Sequence, residues 1–187
     1  MVVGTTHQKA LSKAEPSADA RLVDAVTRGD EEAFANLYRL YSPMVHGILL
    51  ARVPFREVDD LVQDVFLLAF RKIRSLRDRS SFGPWLAMIT RNRANDFHRR
   101  SKRAEELPVE ILVRSRSEAE ADAEKILRLV RGLPEAYRET LVLRLVEGMT
   151  GPEIAARTGL TAASVRVNLH RGMKILREAL GMESGHE

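Results

Sequence analysis

Apolar positions recur along this chain at spacings of three and four, the period of a helix with one buried face. Leu22, Val23 and Val26 mark a first helix from about Ala18 to Thr27. Gly29 stops it, and Asp30 is placed to cap a second whose stripe is Phe34, Leu37, Tyr38 and Tyr41. Pro43 lacks an amide donor and crowds the preceding turn, so a kink or a break is expected there. Val45, Ile48, Leu49 and Val53 then resume the pattern. A third helix is predicted from about Arg56 to Leu76, with Val58, Leu61, Val62, Val65, Phe66, Ala69, Ile73 and Leu76 inward. Its reverse face carries Asp60, Gln63, Asp64, Leu67 and Arg71, where a leucine among polar groups is a candidate anchor for a partner protein. A polar loop, Arg77 to Ser81, leads to a fourth helix from about Phe82 to Arg103. Ser81 is a candidate cap and Pro84 falls in the first turn, where a missing amide costs little.

After Arg103 the periodicity fades around Pro108 and returns near Ala123 with Ile126, Leu129, Val130 and Leu133. Pro134 opens a helix whose apolar positions are Leu141, Val142, Leu145 and Val146, and Gly148 ends it. Thr150-Gly151-Pro152-Glu153 then reads as a capping box, Gly159 as a left-handed helix stop, and Thr161 as the cap of a last helix over Ala162 to Leu180. Val165, Leu169, Met173, Leu176 and Leu180 form its inward stripe. Ala163, Ser164, Val167, Arg171 and Lys174 face the other way. Two caps around a glycine turn, followed by small, apolar and basic side chains on one face, describe a helix-turn-helix suited to a DNA major groove.

The pattern predicts an all-α chain of two small helical domains. The expected division is a disordered tail over 1–17, a domain over 18–103, a flexible acidic linker over 104–121, a second domain over 122–181, and a short tail over 182–187. Charge sharpens this division. The 187 residues carry a net charge of only +4, yet residues 20–103 hold 16 Lys/Arg against 10 Asp/Glu, residues 104–124 hold 2 against 7, and residues 125–187 hold 10 against 7. Two basic blocks around an acidic connector suit two DNA-facing modules, and the connector's eighteen residues, extended, span roughly 60 Å. The fourth helix is the more basic: Arg91, Arg93, Arg99, Arg100, Lys102 and Arg103, interleaved with Asn92, Asn95 and His98, exceed what a helix dipole calls for.

Several function classes are set aside by composition. The absence of Cys excludes a disulfide framework and thiolate metal sites, and fits a reducing cytoplasm. The five histidines, at 7, 46, 98, 170 and 186, form no metal-binding pair. There is no glycine-rich phosphate loop and no serine elbow, so neither an enzyme nor a cofactor or metal site is expected. No apolar run approaches the roughly 20 residues of a membrane span.

The chain resembles the sigma-70 family of bacterial initiation factors, in its small extracytoplasmic-function (ECF) group, from about Arg21 to Leu180. Asp60-Leu61-Val62-Gln63-Asp64-Val65-Phe66 is similar to the family's core-polymerase-binding helix. Phe82-Gly83-Pro84-Trp85-Leu86, with Ile89, Arg91, Asn92 and Asp96, resembles its promoter-melting helix. Leu133-Pro134-Glu135 through Leu145, Glu153-Ile154-Ala155, and Val165, Leu169, Arg171 and Lys174 resemble its C-terminal domain.

The resemblance implies that Asp60, Gln63, Asp64, Leu67 and Arg71 dock on core RNA polymerase. It assigns the −10 promoter element to Arg77, Arg79, Ser80, Trp85, Arg91, Asn92, Arg93, Asn95, Arg99, Arg100, Lys102 and Arg103. Trp85 is open to two readings, a core position or a stacking platform. The −35 element falls to Thr161, Ala163, Ser164, Arg166, Val167, Arg171 and Lys174. Val167 and Asn168 stand where relatives often carry Ser and Arg, and Gly172 where Ala is usual. An anti-sigma factor is the further implied partner. The residues alone leave one alternative, a two-domain helix-turn-helix regulator with an N-terminal sensing domain.

Overall fold

The computed structural model describes residues 17–104 and 126–181, and every regular element among them is helical. Residues 1–16, the linker from 105 and the tail from 182 lie outside that description. The N-terminal bundle comprises α1 (Ala18–Thr27), α2 (Glu31–Leu50), α3 (Val58–Lys72) and α4 (Phe82–Ala104). Asp30 caps α2 as expected, accepting from the Ala33 amide at 3.0 Å. Helix α2 runs unbroken through Pro43, so the expected break does not occur. Short 3-10 turns at Phe55–Glu57 and Ile73–Ser75 bracket α3, which is therefore shorter than its apolar pattern suggests. Ser81 does not cap α4: it lies in a 3-10 turn, Arg79–Ser81, that Asp78 caps and that runs straight into α4, and its hydroxyl donates back to Asp78.

The C-terminal bundle comprises α5 (described over 126–132), α6 (Glu135–Leu145), α7 (Gly151–Thr158) and α8 (Ala162–Ala179). The capping box forms: the Thr150 hydroxyl accepts from the Glu153 amide, and Glu153 accepts from the Thr150 amide at 2.8 Å. Gly159 takes φ 78°, a conformation strained for any residue with a side chain, and Thr161 caps α8. Gly172 is buried where α8 crosses α6. A methyl there would meet Leu141 Cδ1 at 2.9 Å, so glycine lets the two helices approach closely.

The two bundles pack against each other and share one continuous apolar core, with α2 and α4 facing α6 and α7. This overturns part of the expected α6 pattern. Leu143 is fully buried, while Leu145 and Val146 are 49% and 52% exposed. Helix α6 is covered by α8 on one side and by α2 on another, so its apolar surface is set by two partners rather than one. Leu180 also lies outside the core, at 39% exposure beyond the last packed turn of α8.

Candidate nucleic-acid interface

Three surfaces gather the residues singled out by the sequence. On α3, Asp60, Gln63, Leu67 and Arg71 are exposed on one face, with Leu67 at 55%. Asp64 is half-buried and pairs with Arg93 of α4. Three residues beyond Leu67, Phe70 is 48% exposed and packs edgewise on Phe34 with ring centres 4.8 Å apart. Phe70 enlarges the apolar spot and was legible from its i+3 spacing to Leu67.

The second surface is α4 with the loop before it. Asp78 organises that loop, accepting from the Ser80 amide at 3.0 Å, the Ser80 hydroxyl at 2.6 Å and the Ser81 hydroxyl. These hydroxyl donors hold the Asp78 carboxyl below its usual range. The Ser80 hydroxyl proton is thus already committed. Arg79 bonds Asp24 of α1 at 3.1 Å, whereas Arg77 is exposed. Trp85 is half-buried and packs against the core, its ring centre 5.8 Å from that of Phe82, which favours the packing role. Asn92, Asn95, Arg99 and Arg100 are exposed; Arg99 bonds Asp96 one turn back. Lys102 and Arg103 lie on the last turns of α4. Arg91 and Arg93 differ from these. Each is half-buried and ion-paired, Arg93 to Asp64 and Arg91 to Glu139 of α6.

The third surface is α8. Ala163, Ser164, Arg166, Val167, Arg171 and Lys174 are all exposed, and nothing in the described residues covers that face. Thr161 spends its hydroxyl on the cap, accepting from the Ser164 amide at 3.1 Å and donating to Ser164 Oγ at 2.8 Å. It fixes the helix start rather than offering a free donor.

Between the bundles lies a set of polar contacts that sequence reasoning missed. Glu139 is 5% exposed. Arg91 forks onto it, with Nη2 2.6 Å from Oε1 and Nε 3.1 Å from Oε2. Arg52 adds a bond to Oε2 at 3.1 Å and another to Glu135 at 2.5 Å. Burial acts to raise the Glu139 carboxyl, but the hydrogen bonds and charges of Arg91 and Arg52 overcome it and hold the carboxyl below its usual range. Arg157 of α7 donates to the Leu40 carbonyl at 3.0 Å, one turn before Pro43 in α2. Arg131 donates to the carbonyls of Leu50 and Val53, closing the C-terminal end of α2. His46 Nδ1 lies 2.6 Å from Glu147. Glu139 carried one faint signal, an acid three and four residues before Val142 and Leu143 on an inward face. Its partners are 48 and 87 residues away, beyond any local rule.

An exposed helix-turn-helix on one bundle and a basic helix on the other define a two-domain helical DNA-binding protein of the transcription machinery. Residues 37–104 match the family model for sigma-70 region 2, and residues 123–176 that for sigma-70 region 4. The chain is 32% identical over 160 residues to RNA polymerase sigma factor CarQ of Myxococcus xanthus, covering 82% of this chain and 92% of that protein. It is 29% identical over 180 residues to the ECF RNA polymerase sigma-E factor of Haemophilus influenzae, covering 87% and 95%. Among solved structures, CnrH in complex with the cytosolic domain of CnrY is similar at a TM-score of 0.64 and 26% identity, over 89% of this chain and 99% of that one. RpoE of Bartonella quintana, solved with the anti-sigma factor NepR, shares the fold at a TM-score of 0.58 and 21% identity, over 81% and 98%. The chain belongs to the sigma-70 family, in its ECF group. Because the N-terminal bundle matches region 2, the alternative of a sensing domain there is not favoured. Among the described residues no group of His, Asp or Glu is arranged to hold a metal, and no helix is long and apolar enough to cross a membrane.

Proposed function

We propose that this chain is an RNA polymerase sigma factor that binds core polymerase and directs initiation at promoters carrying its −10 and −35 elements. The observation that carries this is the pairing of the exposed reading face of α8 with the basic face of α4 in one chain that matches both sigma-70 regions. The working units are residues 18–103 and 122–181, with 104–121 as connector. Polymerase docks on Asp60, Gln63, Leu67 and Arg71, with Phe70 extending the apolar contact and Asp64 at its edge. Arg91, Asn92, Arg93, Asn95, Arg99, Arg100, Lys102 and Arg103, with the loop from Arg77, hold the opened −10 strand. Phosphate neutralisation by such a row is strongly salt-dependent. Helix α8 enters the major groove at −35, where Arg166 and Arg171 donate to bases or phosphates and Val167 meets a thymine methyl.

No covalent chemistry is asked of the chain. It must bind open single strand better than duplex, and that difference offsets an unstacking cost of a few kcal/mol. The polymerase and promoter place its action in the cytoplasm. CnrH is solved with CnrY, and RpoE with the anti-sigma factor NepR; by likeness, an anti-sigma factor restrains this chain too. The test is run-off transcription with purified bacterial core polymerase on fragmented genomic DNA, with the 5′ ends of the transcripts sequenced. Starts sharing two spaced elements support the assignment. Failure to associate with core polymerase at low salt overturns it.

A further inference from the structure

Arg91 stands in two places at once. It belongs to the α4 row assigned above to the −10 strand, and it is the principal partner of Glu139 on the opposite bundle. Glu139 fills the Nε/Nη2 edge of Arg91, and carboxylate and phosphate compete for that bidentate geometry. Glu139, itself buried, uses both of its oxygens on arginines of the N-terminal bundle. Arg157 on the Leu40 carbonyl, Arg131 on those of Leu50 and Val53, Arg52 on Glu135 and His46 on Glu147 also cross between the bundles without drawing on the DNA-facing row, and Arg91 itself reaches the Thr158 carbonyl at 3.4 Å.

We propose that Glu139 is an interdomain latch. Its carboxylate occupies Arg91 in place of a promoter-strand phosphate, and the closed chain is thereby held off the −10 strand until the bundles part. This rests on the assignment of α4 to that strand. The latch is built to release. Arg52 Nε is buried with no acceptor among the described residues, and opening returns it to water. Both charge partners of Glu139, Arg52 and Arg91, lie across the boundary, so its ion pairs are lost when the bundles part.

The chain has no Cys, so dyes are placed at two introduced positions, Arg28→Cys and Ala179→Cys, both exposed and on opposite bundles. Energy transfer and affinity for a fluorescent 20-nucleotide single strand are measured on the full chain. The variants are Glu139→Gln, Arg52→Ala and, as a charge-matched control, Glu32→Gln on the exposed first turn of α2. Circular dichroism confirms that each is folded. Glu139→Gln and Arg52→Ala are expected to lower transfer and tighten strand binding at least tenfold, as follows when a binding-competent form rises from under a tenth of the population. Glu32→Gln is expected to do neither. Unchanged transfer in both latch variants overturns the proposal. So does lost transfer with affinity within twofold of the control. The α4 assignment is scored separately, with polymerase carrying the chain with Arg99→Ala and Arg100→Ala, which lie outside the latch. Normal strand opening by that holoenzyme overturns the assignment and the latch with it.

Discussion

Replacing Gly83 with alanine tests the closed arrangement by sterics alone, without altering charge. Gly83 sits in the first turn of α4, against the C-terminal end of α7. A methyl group built on it falls 2.9 Å from the Arg157 carbonyl oxygen, 3.1 Å from the Arg157 Cα and 3.1 Å from Tyr41 Cε1. Ordinary contact begins near 3.4 Å, so α4 and α7 must part by about 0.5 Å. Two of the obstructing atoms are backbone and cannot rotate aside. Overpacking of this kind costs roughly 1–3 kcal/mol, which shifts the balance about 5- to 150-fold toward separated bundles. Within α4 the substitution acts the other way, since alanine favours a helix over glycine by up to about 1 kcal/mol. The expected signature is therefore split. Calorimetry should find the N-terminal bundle as stable as before or more so, while small-angle scattering finds a larger radius of gyration. Gly132→Ala is the control, because a methyl there meets nothing within 4 Å. A Gly83→Ala chain that keeps the wild-type radius and melts in one transition at a higher temperature would refute the reasoning.

Leu67→Ala should leave thermal stability within about 0.5 kcal/mol, as expected for an exposed side chain, while core-polymerase affinity measured by anisotropy falls by about 1–2 kcal/mol. Arg171→Ala should weaken binding to a −35 duplex by about 1–3 kcal/mol and Lys174→Ala should lower the salt slope by about one, both read from titrations at several salt concentrations. Closure should depend on pH through His46. Its hydrogen bond to Glu147, opposed by partial burial and helped by the charges of Glu147 and Asp59, raises its pKa in the closed form. A raised pKa means the stabilisation is full below about 6.5, the ordinary histidine value, and is lost as pH climbs through the raised one. Energy transfer between the bundles should thus decline from pH 6 to pH 8.5, and His46→Gln should flatten the curve.

Features governed by neighbours a few residues away were readable in the sequence. Asp30, Thr150 with Glu153, Gly159 and Thr161 each act within one turn, where an oxygen, an amide or a positive φ decides the outcome locally. The apolar stripes of α1 to α4 were readable for the same reason. Ser81 was assigned wrongly because the chain already turns at Arg79–Ser81 before α4, so the cap falls to Asp78 three residues earlier, and spacing does not rank the two. The α6 pattern failed at Leu145 and Val146 because Leu143 is buried by α2, more than ninety residues earlier in the chain. Gly172 reads in sequence as a helix weakener; in the fold its missing methyl is what Leu141 and Tyr137 pack against. The three candidate surfaces were legible as faces, yet not the state of their residues. Arg91, Arg93 and Arg79 are engaged by Glu139, Asp64 and Asp24, which only a tertiary structure brings to them, whereas Ser80 is taken by Asp78 two residues before it, a local contact that spacing alone did not rank.

Closure does not affect the three working surfaces equally, and the difference orders the steps of the proposed function. The groups of α3 proposed to dock on polymerase are exposed in the closed chain, so docking there would need no opening. The reading face of α8 is likewise uncovered, so a −35 contact is available to the closed chain. Only α4 is divided, with Arg99 and Arg100 exposed and Arg91 withdrawn. A closed chain can therefore be recruited and can test duplex at −35, but it lacks a full row of cations for an unpaired −10 strand. Spacing makes the same demand from the DNA side. The −35 and −10 elements lie more than one helical turn apart, at roughly 34 Å per turn, whereas packed bundles keep α4 against α7, the first helix of the helix-turn-helix. Both elements can be held together only once the bundles separate. The geometry that frees Arg91 is then the geometry that spans the promoter, so strand capture follows placement on both sites and does not precede it.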